Sequence, residues 1–454
     1  MKKLITLNLL VSLLFVINNC NSKVEDQASQ QLSKEELTEE IEFYLKDKLL
    51  HIWYPRMVDK ENGGYYTNFN SDWTLMETQP KMIVSQARGL WTASKAAELF
   101  PDDPRYLDAA HYGFTGLRDT MWDYQKGGFH FFAPNPNEAP SAIKQSYGIA
   151  FGIYGLAAYY KLTSNPEALE LAKKAFFWLD EHAHDAEHGG YYDILTREGL
   201  SALSPDFNPE LLGRYGEIAN YKDYNSSIHI LEAFAELYVV WKDELLKDRL
   251  REMLLITRDK IIGEKGYMSL YFEKDWTAIS FQQESDSVIK QNFWLDHVTF
   301  GHDIETAYLL LEAAEVLGEE VEETEHFTKK MVDLALENGF DEEYKGVFDG
   351  GNYFQDEDKP QITKGSKNWW SQAEALNTLL IFAKHYPDEP VYMEAFQNMW
   401  AFCKEYAIDK ENGGWYEETI DVTPSSKNKK KGHVWKSNYH TGRSLMNCYK
   451  MLHQ

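Results

Sequence analysis

Three histidines stand at comparable points of three segments with helical periodicity. Thr299-Phe-Gly-His-Asp-Ile-Glu305 leads from a loop into a helix, with Ile304, Ala307, Tyr308 and Leu311 at helical spacing. Residues three apart share a helix face, so Glu305 is expected within reach of His302. A carboxylate able to orient an imidazole ring makes a general acid/base unit. Asn225-Ser-Ser-Ile-His229-Ile-Leu-Glu232 repeats the His-x-x-Glu spacing, and Trp435-Lys-Ser-Asn-Tyr-His440-Thr-Gly-Arg443 ends a loop and opens the last helix. Arg88, in Ser85-Gln-Ala-Arg88, and Tyr147 also fall at helix starts, as does Asn225. Two bases that titrate near neutrality and a cationic Arg suit proton abstraction beside a carbonyl. One imidazole removes the proton and a second, on the opposite face, returns it with inverted configuration. Arg and Tyr stabilise the enediolate oxygen formed in between, and a third imidazole serves to open a sugar ring. Trp369, Trp370 and Trp435 offer flat faces for sugar rings, with Lys364, Gln372 and Glu374 as polar rim groups.

The same residues admit duller roles and rival chemistries. His229 alone also reads as a structural histidine, Trp369 and Trp370 as core, and Arg88 as half of an ion pair in the wall. The two His-x-x-Glu helices suggest a metal site, although di-metal bundles use the reverse order, Glu-x-x-His. A glycoside hydrolase would need two facing carboxylates, for which Glu305, Glu374 or Asp303 are available. Neither rival gives a reason for three histidines to converge. His182, His184 and His188 read as surface residues.

The elements that must gather these groups are repeated. Asp59-Lys-Glu-Asn-Gly-Gly-Tyr-Tyr66 returns as Asp409-Lys-Glu-Asn-Gly-Gly-Trp-Tyr416, with looser copies at Lys126-Gly-Gly-Phe129, His188-Gly-Gly-Tyr-Tyr192, Lys265-Gly-Tyr267 and Lys345-Gly-Val-Phe348. Six copies at steps of about 60 to 80 residues imply a repeated supersecondary unit. Between copies run two amphipathic helices, as in Gln86 to Leu99 with Pro104 to Tyr124, and Tyr147 to Leu162 with Pro166 to His182. Near-identical first and last copies, with no polar capping repeat, favour a closed ring over an open solenoid. The expected fold is all-α, a single (α/α)6 barrel over residues 35–454, with short β-hairpin turns at the glycine-aromatic copies. A barrel would bring the matching helix starts to one end. The long stretch from Ser201 to Lys222 reads as a lid or binding loop.

The chain has 454 residues, 13 Trp, 28 Tyr, 24 Phe and a net charge of −26. Such acidity excludes nucleic acid as a partner, because phosphate contacts need a basic face. The aromatic share suits a broad, aromatic-lined cavity. Lys2 and Lys3 precede an apolar run from Leu4 to Ile17, too short to span a bilayer, and Cys20 follows it. Residues 1–20 resemble a bacterial lipoprotein signal with Cys20 as the lipidated residue, and 21–34 a flexible tether. The expected location is the cell envelope, with the membrane touched only through that lipid. Cys403 and Cys448 lie in apolar helical stretches where an oxidising compartment permits a disulfide without implying one. One chain is expected to suffice as a monomer.

The ordered set Ser85-Gln-Ala-Arg88, Tyr147-Gly-Ile-Ala-Phe-Gly-Ile-Tyr154, Asn225-Ser-Ser-Ile-His229, Phe300-Gly-His-Asp-Ile-Glu305, Asn368-Trp-Trp-Ser-Gln-Ala-Glu374 and Trp435-Lys-Ser-Asn-Tyr-His440 resembles the N-acylglucosamine 2-epimerase superfamily. Within it, the Gly-His-Asp-Ile-Glu and Trp-Trp-x-Gln-Ala-Glu forms are similar to the cellobiose (or mannobiose) 2-epimerases. The resemblance runs from about Leu37 to Leu452. It implies an (α/α)6 barrel without metal or redox cofactor that inverts C2 of the reducing-end sugar of a β-linked disaccharide. It implies His302 and His440 as the acid/base pair, with His229 assisting ring opening. Arg88, Tyr147, Asn225 and Glu305 would hold the intermediate and orient the histidines, and Trp370 and Trp435 would stack on substrate. Asn438 departs from the proline that related sequences often carry there. The alternatives are an aldose–ketose isomerase of the same superfamily, the hydrolase above, or a carbohydrate-binding lipoprotein that kept the barrel.

Overall fold

The computed structural model of the protein describes residues 31–134, 141–355 and 357–454. Among these, twelve helices alternate between an outer and an inner ring: α1 (Lys34–Leu45), α2 (Ile83–Leu99), α3 (Pro104–Gly116), α4 (Ser146–Thr163), α5 (Pro166–Ala183), α6 (Tyr224–Val240), α7 (Glu244–Ile256), α8 (Phe300–Leu317), α9 (Val321–Asn338), α10 (Trp369–His385), α11 (Val391–Phe402) and α12 (Tyr439–His453). Even-numbered helices form the inner ring. Each packs on the next, α2 on α4 through to α10 on α12, and α12 returns to α2, so the ring is closed. Each inner helix also packs on the outer helix that follows it. The sixth hairpin joins the two ends of this sequence, because α1 packs on α12. The expected (α/α)6 barrel is the fold observed.

Local sequence explains which ring each helix joins. Inner helix α4 is buried continuously from Ser146 to Tyr159, since it meets two inner neighbours and an outer partner. Outer helix α5 buries one side, Ala168, Leu171, Ala172, Ala175, Phe176, Trp178, Leu179 and Ala183, and turns the other side outward. Helix starts are fixed by side chains. Ser33 and Glu36 close a capping box on α1, and Asp103 and Asn165 cap α3 and α5 just before a proline.

Five of the six glycine-aromatic copies are turns closed by an aspartate. Asp59 N–H donates to Gly64 O, and the same bond recurs from Asp123 to Gly128, Asp185 to Gly190, Asp341 to Gly346 and Asp409 to Gly414. The paired glycines at 63–64, 127–128, 189–190 and 413–414 all have positive φ. A lysine then reaches in to the aspartate: Lys81, Lys144, Lys222 and Lys367, each two residues before its inner helix, and Lys431 in the last copy. The fourth copy, around Gly266, lacks this pair, and Val298 occupies the place of the lysine before α8. The expected hairpins at these copies are reduced to single bridges, such as Val58 to Tyr65 and Ile408 to Trp415. The regular strands lie elsewhere: β1 (Ile143–Gln145) with β2 (Ile194–Thr196), β3 (Lys222–Asp223) with β4 (Tyr271–Phe272), and β5 (Gly350–Asn352) with β6 (Gln361–Lys364), all antiparallel. β1 and β3 run directly into inner helices α4 and α6 and each pairs with a strand from the next connection, whereas β5 and β6 pair within one connection.

The expected signal, Cys20 and most of the expected tether lie outside the described residues. The end of that tether is already part of the barrel, since Leu32 N–H donates to Gln397 Oε1. Ser201 to Lys222 contains a short 3₁₀ turn, Pro209–Tyr215, and places Tyr215 edge-on to Phe131 at 6.1 Å. Cys403 and Cys448 are buried, free thiols. No described helix is long and apolar enough to cross a membrane.

Candidate active site

The inner helices deliver their side chains to one end by a shared register. Tyr147, Asn225, Trp370 and His440 are each the second residue of an inner helix, and Arg88, His229, Glu305 and Glu374 are each the sixth. Residues four apart lie on one face, so α6 and α10 each present one upper and one lower group, and the other inner helices one of the two. His302, the third residue of α8, joins them. Together Arg88, Tyr147, Asn225, His229, His302, Glu305, Trp369, Trp370, Trp435 and His440 line one cavity of about 150 Å³. All nine residues read from the sequence as catalytic or substrate-binding are in that set. Trp369 completes it, buried against the wall, whereas Trp435 is about half exposed at the mouth.

The histidines are held differently. His302 sits 4.3 Å from the Trp370 ring, and His440 sits 5.9 Å from the same ring. His440 Nδ1 lies 2.6 Å from Glu374 Oε1, and His229 Nδ1 lies 2.8 Å from Glu232 Oε2. The expected Glu305–His302 contact is not formed. His302 Nδ1 instead meets Thr299 Oγ1 at 2.9 Å and Tyr224 Oη at 3.3 Å. Glu305 turns to Arg443, which also binds Glu232, Glu374 (2.7 Å) and the Tyr439 hydroxyl. The physical reason is charge: in a dry interior a carboxylate gains more from a guanidinium than from a neutral imidazole. Glu374 is thus a buried partner of His440 and not a rim group, and Gln372 is buried and bonds the Val347 backbone.

Burial, followed by nearby Arg and His groups, holds both His302 and His440 well below the usual imidazole range. Burial also raises Glu374 against the pull of Arg443. Burial opposes the charge on Glu232, but Arg443, His229 and Tyr439 outweigh it and hold that group down at about 2. Arg88 donates to Tyr147 Oη at 2.8 Å and stacks on the Phe151 ring at 4.2 Å. Tyr147, pushed up to about 12 by burial despite Arg88, keeps its own hydrogen for the cavity. Arg88 Nε and Asn225 Oδ1 are buried with no protein partner, which leaves them for a polar ligand.

The rival chemistries fit less well. Glu305, Glu374 and His440 bring ligand atoms within 4.8 Å of one another. Arg443, however, already contacts both carboxylates and supplies the cation there. A hydrolase needs two free carboxyl groups about 5 Å or more apart across a glycosidic bond. Glu305 and Glu374 share one guanidinium nitrogen, and Asp303 faces away to accept from Met268 N–H. Sequence reading gave no role to Arg443, Tyr439, Thr299 or Tyr224. The available signal was Arg443 one turn after Tyr439 on the helix that begins with the last histidine.

Residues 64–444 match the family model described as N-acylglucosamine 2-epimerase (GlcNAc 2-epimerase). The chain belongs to the N-acylglucosamine 2-epimerase family. Family members similar to it include the cellobiose 2-epimerase of Bacteroides fragilis, 30% identical over 92% of this chain and 98% of the relative. That of Ruminococcus albus is also 30% identical, over 90% and 97%. The solved cellobiose 2-epimerase of Spirochaeta thermophila superposes with a TM-score of 0.77 at 27% identity, covering 92% of this chain and 97% of the other. As a member of this family the chain is an isomerase, a carbohydrate epimerase.

Proposed function

We propose that the protein inverts C2 of the reducing-end glucose or mannose of a β-linked disaccharide, cellobiose or mannobiose, through an enediolate. The observation that carries this reading is the pair His302 and His440, both on one small cavity, both against Trp370, and both held neutral by burial. A neutral imidazole has a lone pair for the C2 proton. As the C2–H bond breaks, its electrons form the C1–C2 double bond and the carbonyl pair moves to O1. Arg88 and the Tyr147 hydroxyl stand together to take up that developing charge. The second histidine then protonates C2 from the other face. His229, fixed by Glu232, is placed to move the hemiacetal proton, and Trp370 and the exposed Trp435 to stack on the two sugars. The similarity to cellobiose 2-epimerases supports the disaccharide substrate.

The experiment is proton NMR of the protein with cellobiose or mannobiose in D2O, with and without chelator. The expected result is the C2 epimer carrying deuterium at C2, unaffected by chelator. A ketose product would replace the epimerase with an aldose–ketose isomerase, and shorter sugars would mean a hydrolase. The sequence of residues 1–20 supports the further reading that the enzyme is anchored in the cell envelope by a lipid on Cys20. Cys20→Ser is then expected to move the protein from the membrane to the soluble fraction.

A further inference from the structure

Arg443 is fully buried at the centre of the inner ring and serves three carboxylates from three other helices. Its two terminal nitrogens divide them unequally. Nη1 goes to Glu232, whose Oε1 also accepts from the Tyr439 hydroxyl at 2.6 Å and whose Oε2 meets His229. Glu232 thus takes a guanidinium N–H of its own and a hydroxyl, which favours its ionised form. Nη2 is shared by Glu305 Oε1 and Glu374 Oε1, and Oε2 of both residues is buried with no partner. Three carboxylates facing one guanidinium away from water cannot all ionise at low cost, and the under-supplied pair is where a proton settles. Of that pair, only Glu374 makes a hydrogen bond to a histidine, His440 Nδ1 at 2.6 Å.

We propose that Arg443 is a positioning residue that makes Glu374 and His440 a one-proton store, letting His440 act as acid in one direction of epimerisation and as base in the other. The proposal rests on the epimerase reading. With Glu374 protonated on Oε1, the oxygen that meets His440, its O–H donates to Nδ1 while Oε1 still accepts from Arg443 Nη2, and the hydrogen of the ring sits on Nε2, the nitrogen left for the cavity. As the Nε2 hydrogen passes to C2, the Glu374 proton moves to Nδ1, so no imidazolate forms. What remains is the Glu374 carboxylate accepting from Nδ1–H, with a bare Nε2 ready to take the C2 hydrogen of the other epimer. The pair has lost one proton and C2 has gained one. His302, held by two hydroxyls and no carboxylate, has no such store. The raised carboxyl of Glu374 and the lowered one of Glu232 agree with this division.

The test uses full-length Glu374→Gln, whose amide cannot pass a proton to His440, with each C2 epimer in D2O. Epimerisation is expected to fall roughly 100-fold or more in both directions. Deuterium should still enter C2 of one recovered starting epimer, the one whose hydrogen faces His302, at a rate within about tenfold of wild type. Equal loss of exchange for both epimers, or epimerisation within about tenfold of wild type, overturns the proposal. Arg443→Lys keeps a cation but not the fork, and is expected to lower kcat about 30-fold or more with KM within about threefold. Unchanged kcat in a folded Arg443→Lys protein overturns it too, and if that variant does not fold Glu374→Gln decides. Nitrogen NMR of labelled histidine needs no turnover: His440 should exchange between tautomers in wild type and shift to the Nε2–H form in Arg443→Lys. The same tautomer mixture in both proteins sinks the store even if the wild type fails to epimerise the disaccharide, which alone would sink the epimerase reading.

Discussion

At the scale of single residues, the site is a set of imidazoles distinguished by what stands behind them. His302 has hydroxyls, His229 a saturated carboxylate and His440 an under-supplied one. Removing a positioned acid or base costs roughly 10²- to 10⁴-fold in rate. His302→Ala and His440→Ala are each expected to lose epimerisation by that order while still binding the disaccharide in calorimetry. A fully active variant of either would remove that histidine from the reaction. The pH profile has a definite sign. Both imidazoles lie below the usual value of about 6.5, so the neutral, proton-accepting form persists as pH falls. The acid limb of kcat/KM is therefore expected below about pH 6.5, and a limb centred at or above that value would contradict the burial of the pair. Spacing alone paired His302 with Glu305. It could not reveal that Glu305 would be drawn across the ring to a cation on α12, because that partner is 138 residues away in sequence.

At the scale of elements, the aspartate–lysine pairs lock each turn to the inner helix that follows and thereby fix the register of the site groups. Lys222 shows how completely: its ammonium donates to Asp185 Oδ2 at 2.8 Å and to the carbonyls of Gly189 and Lys274, both at 2.7 Å. Lys222→Met leaves a carboxylate and two carbonyls without this donor, a loss of about 3–5 kcal/mol. A lower denaturation midpoint is the expected result, with part of the loss recovered in Lys222→Met/Asp185→Asn; an unchanged midpoint would mean water replaces the lysine. The five turn aspartates also set the response to acid. Burial raises each, but bonds from lysine and turn N–H groups outweigh it, so all five carboxyls lie below their usual range, with Arg197 adding to the pull on Asp123. Groups whose folded value is depressed contribute stability above the unfolded value of about 3.9 and lose it as pH falls further. Equilibrium unfolding should therefore show stability dropping below about pH 4, and a flat profile there would rule out these pairs as the cause. The glycine-aromatic phrase was legible as a turn. Its lysine was not, since the distance from aspartate to lysine varies from copy to copy.

At the scale of the molecule, closure depends on the first and last of the described helices. α1 buries Leu37, Ile41 and Leu45, and the wider turn after it buries Leu49 and Leu50, against α12, which carries His440 and Arg443. Each such side chain contributes roughly 1.5–3 kcal/mol when buried. Deleting residues 32–50 is expected to abolish cooperative unfolding by circular dichroism as well as turnover. A truncated protein with intact melting would mean that five hairpins suffice. With the ring closed, inner-helix starts from all six repeats converge on one cavity, and Arg443 gathers three carboxylates behind its lining.

The sequence by itself determined the repeat, the helix pairs, closure into an (α/α)6 barrel and the residues that meet at its mouth. Those follow from local periodicity, turn chemistry and the recurrence of one phrase at both ends. Only the tertiary structure decided which group each carboxylate serves. Glu305 and Glu374 lie one turn into their inner helices and Glu232 two turns into its own, and all three face the same buried cation. What separates them is the count of donors around each oxygen, and those donors come from α6 and α12, segments more than 200 residues apart in the chain. Pairing across a closed ring is set by geometry in three dimensions, on which the order of residues along the chain carries no direct information.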